Sequence, residues 1–186
     1  MNDTMIEHLQ PGNSVLVVVD VQGRLARLMH ESDAMISAQK TLIEACRLLE
    51  IPVVWTEQLP DKLGPTVDEL QGPLEGLTPC PKSSFGCMGD GALRERIEAS
   101  GRKQVLLCGI EAHVCVWQTA AALLREDYSV HLIADATSSR SAFNRDIAFR
   151  RMERAGVGLS NVEMVLFELM VDATHEKFRD VTKLLK

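Results

Sequence analysis

The sequence predicts a three-layer α/β/α sandwich around a mainly parallel sheet of five or six strands. Three observations carry this. Short apolar runs alternate with longer segments of helical periodicity along the whole chain. The runs Val15–Val19 and Val105–Cys108 are unbroken rather than alternating, the pattern of strands buried on both faces. Acids or small residues end the runs, as expected where strand ends open onto a ligand cleft.

Taken in order, Ser14–Asp20 is the clearest strand, with five consecutive apolar residues of which four are valine. It ends on Asp20, and Val21-Gln22-Gly23 turns the chain. Ser32–Glu50 carries apolar residues at spacings of three and four, a helix capped by Ser32 or Asp33 and stopped by Pro52. The second strand is Pro52–Thr56. A Pro- and Gly-rich loop follows from Glu57 to Pro79, with a turn of helix around Val67–Leu70. Pro81–Cys87 is too short to assign. Asp90–Ala99 reads as a helix closed by Gly101.

The strand Gln104–Cys108 hands over through Gly109 to a helix running to Arg125, with Cys115 at the junction. A fourth clear strand, Ser129–Asp135, is followed by a helix over Asn144–Ala155, a short strand Val157–Leu159, and a helix through Met170 opened by a Ser160-x-x-Glu163 capping box. A helix from His175 to Leu185 ends the chain. No repeat or linker divides residues 1–186, so one domain is expected.

Composition narrows the function. The formal net charge of −6 and the absence of a Lys/Arg cluster oppose a nucleic acid or anionic membrane partner, leaving a small molecule. No apolar run approaches a membrane span. Met1–Gln10 lacks a basic stretch followed by an apolar core, so no secretory leader is expected. Five cysteines, odd in number and without a C-x-x-C pair, fit free thiols in a reducing cytoplasm.

Cys115 sits where unpaired amides and the helix dipole would lower its pKa, although a buried structural cysteine has the same appearance. If the first strand and the Val105 strand are neighbours, Asp20, Lys82 and Cys115 can meet in one cleft. A carboxylate, an ammonium and a thiol form a workable hydrolytic set: base, electrostatic partner and nucleophile. Each also has a plainer reading, as turn cap, surface lysine and core thiol. The α/β-hydrolase elbow and the papain signature are absent around Cys115, as are G-x-G-x-x-G and P-loop motifs.

Three motifs in order, Val17-Val18-Val19-Asp20-Val21-Gln22, Lys82-Ser83-Ser84-Phe85 and Gly109-Ile110-Glu111-Ala112-His113-Val114-Cys115-Val116, resemble the isochorismatase-like cysteine hydrolases, which include nicotinamidases and N-carbamoylsarcosine amidases. The resemblance covers nearly the whole chain. Thr56–Thr66 is most similar to the YcaC-like, isochorismatase-domain-containing branch. It implies a Rossmann-like sheet, a catalytic triad of Asp20, Lys82 and Cys115, and a cis peptide expected between Ile110 and Glu111. The amides of Ala112 and Cys115 or their neighbours would form the oxyanion hole.

Departures from the family pattern matter. Glu57-Gln58 stands where nicotinamidases carry Asp-x-His, so neither a metal nor a cofactor is expected. True isochorismatases lack the nucleophilic cysteine. Amide or related C–N hydrolysis through a thioester is therefore the expected activity, in a homo-oligomer. The alternative is an oligomeric binding or redox-responsive protein using Cys115. Gln22, Glu57, Gln58, Phe85 and His113 are candidate pocket residues, with Trp55 and Trp117 as lining or core. Cys80 and Cys87 flank Lys82 as pocket neighbours.

Overall fold

A computed structural model describes residues 8–89 and 91–186. The Asp90 start expected for one helix lies outside the described residues. Six strands, β1 (Ser14–Val19), β2 (Val53–Gln58), β3 (Cys80–Lys82), β4 (Gln104–Gly109), β5 (Ser129–Thr137) and β6 (Gly158–Ser160), form one sheet in the order β3-β2-β1-β4-β5-β6. Every neighbouring pair is parallel. The chain winds outward from β1 in both directions, and strand order reverses between β1 and β4. That crevice, beyond the carboxyl ends of the strands, is where such sheets bind ligands.

The helices are α1 (Gly23–Arg27), α2 (Ser32–Leu48), α3 (Pro60–Leu63), α4 (Asp68–Gln71), α5 (Gly91–Ser100), α6 (Trp117–Arg125), α7 (Ala142–Arg154), α8 (Val162–Met170) and α9 (Phe178–Leu184). They divide over two cores. Leu16 and Val18 of β1 pack with α2, α4, α8 and α9, whereas Val15, Val17 and Val19 pack with α5, α6 and α7. An unbroken valine run thus feeds both layers, each fully buried side chain contributing about 1.5–3 kcal/mol. Among the described residues no helix is long and apolar enough to cross a membrane.

Several boundaries differ from the sequence reading, and each has a local cause. Neither Ser32 nor Asp33 caps α2: both fall inside the helix, whose N-cap is Glu31 in the left-handed region without a side-chain cap bond. The same helix ends at Leu48, ahead of Pro52, as Glu50 turns left-handed and the Ile51 amide reaches back to the Cys46 carbonyl at 2.8 Å. Ser160 belongs to β6, so the capping box does not form. Asn161 caps α8 instead, accepting from the Met164 amide at 2.8 Å, while the Asp135 carboxylate accepts from the Val162 amide at 3.0 Å. Ser141 caps α7.

Two differences bear on function. Glu57 and Gln58 are the last residues of β2 rather than the start of a loop, and the unassigned Cys80–Lys82 segment is a strand paired with them, Gln58 opposite Lys82. At the same end of the sheet Val19 stands in register with Thr56 on one side and Gly109 on the other. Gly109 has φ +122°, and a Cβ there would collide with the Val19 backbone, so only glycine lets β4 close against β1 at this level.

Candidate active site

The site is assembled at the carboxyl ends of β1, β2, β3 and β4. Asp20, one residue past β1, has a left-handed backbone (φ 54°), and its amide is held by the Thr56 carbonyl at 3.2 Å. Lys82 is the last residue of β3. Cys115 lies in a π-helical turn, Ala112–Val116, that leads from β4 into α6. Asp20, Lys82 and Cys115 are buried, with 3%, 5% and 8% of their surfaces exposed.

Lys82 Nζ lies 2.6 Å from Asp20 Oδ2. The ammonium also donates to Gln58 Oε1 at 2.5 Å and to the carbonyls of Ser84 and Phe85 at 3.0 and 3.1 Å. A buried ion pair needs further hydrogen bonds to offset its desolvation, and here Lys82 has three acceptors besides the carboxylate. Burial alone would push the Lys82 ammonium down, but the opposing influence of Cys87, Asp20 and Cys115 leaves it raised above the ordinary lysine value. Lys82 stays charged. Asp20 Oδ1 accepts from the Thr56 hydroxyl at 2.7 Å.

The thiol behaves differently from the expectation of a lowered pKa. Burial pushes Cys115 up to about 12, and the Asp20 charge and a hydrogen bond to Asp20 add to this while Lys82 opposes it. Desolvation outweighs the helix terminus. The resting group is therefore a neutral thiol beside a carboxylate, a pairing in which a base can remove the proton as attack begins.

The Ile110–Glu111 peptide is cis, at the position the resemblance implies. The Ala112 amide is unavailable as an oxyanion donor, since it donates to the Ser138 carbonyl at 2.9 Å. Among the described residues, the amides of Glu111 and Cys115 make no hydrogen bond to an acceptor outside this turn.

Three candidate pocket residues are tied into the backbone framework around the site. The Gln22 amide is fully buried, donating to the Gln58 and Gly64 carbonyls at 3.2 and 2.7 Å and accepting from the Gln58 amide at 2.6 Å. Glu57 Oε1 accepts from the Thr66 amide and hydroxyl at 2.7 and 2.9 Å, pinning the loop after α3. Gln58 spans Lys82 and the Ser83 carbonyl. All three hold the triad's scaffold, and polar residues at a strand end do not reveal by type whether they face ligand or neighbouring loop.

His113 shares a hydrogen bond with Ser139 at 2.9 Å and takes no part in the triad. Phe85 is 57% exposed beside the Lys82 network. Trp55 packs in the core on the α2 side, away from the cleft, and Trp117 is half-buried with the Arg151 guanidinium 4.3 Å above its ring. All five cysteines are free and buried. Cys80 lies in the core, whereas Cys87 enters the triad's surroundings, with its Sγ 3.7 Å from Thr56 Oγ1. Thr56 was the residue missed: an acid following β1 needs a partner, and a hydroxyl-bearing residue near the end of the neighbouring strand was the available signal. Among the described residues no group of three or more His, Cys, Asp or Glu side chains could hold a metal ion.

The family model of the Isochorismatase domain matches residues 14–164. This chain belongs to the isochorismatase-domain family. Isochorismatase domain-containing protein 2 of Danio rerio is 41% identical over 97% of this chain and 90% of its own length. A solved structure of MAR1 ribonuclease from Caenorhabditis elegans is 38% identical, covers 96% of this chain and 92% of that one, and superposes with a TM-score of 0.91. YcaC from Pseudomonas aeruginosa, solved with hexane-2,5-diol and covalent acrylamide, shares the fold at 24% identity and a TM-score of 0.92, over 98% of this chain and 93% of its own. Family membership places the chain among hydrolases of this α/β fold.

Proposed function

We propose that this isochorismatase-domain protein hydrolyses a small amide or related C–N bond through a thioester on Cys115. The observation that carries the reading is the burial of Cys115 beside Asp20, whose charge helps keep the thiol protonated and whose carboxylate Lys82 and Thr56 hold in place. Asp20 takes the thiol proton as sulfur attacks the carbonyl carbon. The tetrahedral oxyanion is received by the Glu111 and Cys115 amides. Asp20 returns the proton to the leaving nitrogen, ammonia or an amine departs, and the acyl group remains on sulfur. Asp20 then takes a proton from water as its oxygen attacks the thioester carbon, the C–S bond breaks, and Asp20 returns the proton to the Cys115 sulfur as the acid is released. Lys82 compensates the Asp20 charge whenever the carboxylate is ionised.

The depth of the thiol favours a small substrate. The ribonuclease name of the Caenorhabditis elegans relative brings RNA into consideration, but a net charge of −6 and a thiol 8% exposed support an amide better. Release of ammonia from a panel of small amides, run beside an RNA substrate, tests the reading, with Cys115→Ala and Asp20→Asn as controls. Turnover lost in both variants supports it. Equal turnover by Cys115→Ala, or cleavage of RNA alone, overturns it. The chain is also proposed to self-associate, with Phe143 (71% exposed) and Ile147 one turn apart on α7 as an apolar contact face, a point that light scattering decides.

A further inference from the structure

Beyond the triad, the cluster contains a thiol and two hydroxyls to which the mechanism above gives no step: Cys87, Thr119 and Thr56, the last named only as a partner of Asp20. Their hydrogen bonds have a fixed direction. A hydroxyl has one proton, and Thr56 gives its proton to Asp20 Oδ1 at 2.7 Å, because an ionised carboxylate can only accept. Thr56 must then accept in its 3.7 Å contact with Cys87 Sγ, so the Cys87 S–H is the donor. Thr119 gives its proton to the Cys115 carbonyl at 2.7 Å and consequently accepts from the Cys87 amide at 3.0 Å.

We infer that Thr56 and Cys87 are positioning residues for the catalytic base, forming a one-way chain from the Cys87 S–H through the Thr56 hydroxyl to the Asp20 carboxylate. This rests on the reading of Asp20 as the base. The same Cys87, tied through Thr119 to the carbonyl of Cys115, connects the base to the turn that carries the nucleophile. Both ends of the acid–base pair are thereby referred to one buried residue.

The protonation the chain requires is the one the site provides. Burial, together with the Asp20 charge, pushes the Cys87 thiol up to about 11, against the opposing Lys82 charge and the hydrogen-bonding influence of Thr119 and Thr56, so it carries its proton at neutral pH. Cys87 is fully buried. Thr56 is buried as well, on β2, where valine replaces threonine with the same branching and almost the same volume. Thr56→Val therefore removes the hydroxyl while leaving the strand intact.

The test uses two readouts on the full-length protein. One is hydrolysis of whichever small amide wild type turns over. The other is alkylation of Cys115 by iodoacetamide at neutral pH, followed by mass spectrometry, which needs no substrate and stands even if the amide reading fails. Thr56→Val is expected to lower kcat and the alkylation rate about 10- to 100-fold with KM little changed, the loss of one hydrogen bond to a charged group. Thr56→Ser, which keeps the donor, should return to within about threefold of wild type. Cys87→Ala should cost about two- to fivefold and Cys87→Ser less.

The double variant Thr56→Val/Cys87→Ala should be no slower than Thr56→Val alone, since Cys87 acts through Thr56. Effects that multiply in the double variant would overturn the chain. So would Thr56→Val alkylating at the wild-type rate or faster, or Thr56→Ser as impaired as Thr56→Val. If wild type hydrolyses no amide yet Thr56→Val still slows alkylation, the amide reading fails and the positioning chain stands.

Discussion

Lys82 Nζ and Asp20 Oδ2 stand 2.6 Å apart at the buried ends of β3 and β1, two strands that are not neighbours in the sheet. The pair crosses β2, whose Thr56 and Gln58 each hold one of its partners. Removing the ammonium leaves an uncompensated carboxylate in the core. Lys82→Met is therefore expected to cost about 3–5 kcal/mol of stability, read by urea denaturation, as well as activity. Replacing both partners, as Asp20→Asn/Lys82→Met, should recover much of that stability and none of the activity.

Asp20→Asn separates basicity from charge. The Asp20 charge helps to raise the Cys115 thiol to about 12, and Lys82 opposes it. Neutralising Asp20 while Lys82 stays cationic should lower the thiol pKa, so thiolate ultraviolet absorbance should emerge at lower pH than in wild type. Turnover should nonetheless fall by about 100-fold or more, because the proton acceptor is gone. A variant with a lower thiol pKa and undiminished turnover would remove Asp20 from the mechanism.

Alkaline stability follows from the buried thiols. Cys46 on α2, in full burial, is pushed from 9.0 up to about 12. A group with a raised folded pKa binds its proton more tightly in the native state. Its contribution is present in full below the unfolded value near 9.0 and is lost as pH climbs toward the folded value near 12. The slope is about 1.4 kcal/mol per pH unit for one such group. Cys46→Ala should lose stability at neutral pH through its small cavity, yet decline less steeply above pH 9 in denaturation midpoints measured across that range.

Gly109 is the backbone condition for the site. Its φ of +122° and the collision of any Cβ with the Val19 backbone mean that Gly109→Ala must push β4 from β1 where Ile110 and Asp20 begin their turns. A destabilisation of about 3 kcal/mol or more is expected, with loss of activity, by thermal unfolding and the amide assay.

The outline of the fold was legible because valine runs and amphipathic helices declare themselves by period. Val15–Val19 had to be central, and its two alternating faces feed two separate cores. The three-residue strand ending at Lys82 was not legible, since Cys80-Pro81-Lys82 carries no periodicity and forms by pairing with β2. Helix caps at Glu31 and Asn161 were misplaced because the choice between adjacent polar residues is made by tertiary bonds, such as that of Asp135 to Val162.

Within the site, Asp20, Lys82 and Cys115 were readable as residue types at strand ends, and the motif resemblance brought them together. Burial changed what they are. The helix terminus suggested a lowered thiol pKa, whereas desolvation and the Asp20 charge raise it. Gln22, Glu57 and Gln58 looked like pocket residues because sequence shows polarity at a strand end without showing the loop backbone groups that claim it, the Gly64 and Ser83 carbonyls and the Thr66 amide.

The central claim is that Cys115 carries the acyl group. Acid quenching of wild type during turnover of a small amide, followed by intact-mass measurement and peptide mapping, tests it directly. An adduct equal in mass to the acyl portion, located on Cys115 and absent from Cys115→Ala, is the expected result. Sustained turnover with no adduct, together with an active Cys115→Ala protein, would contradict it.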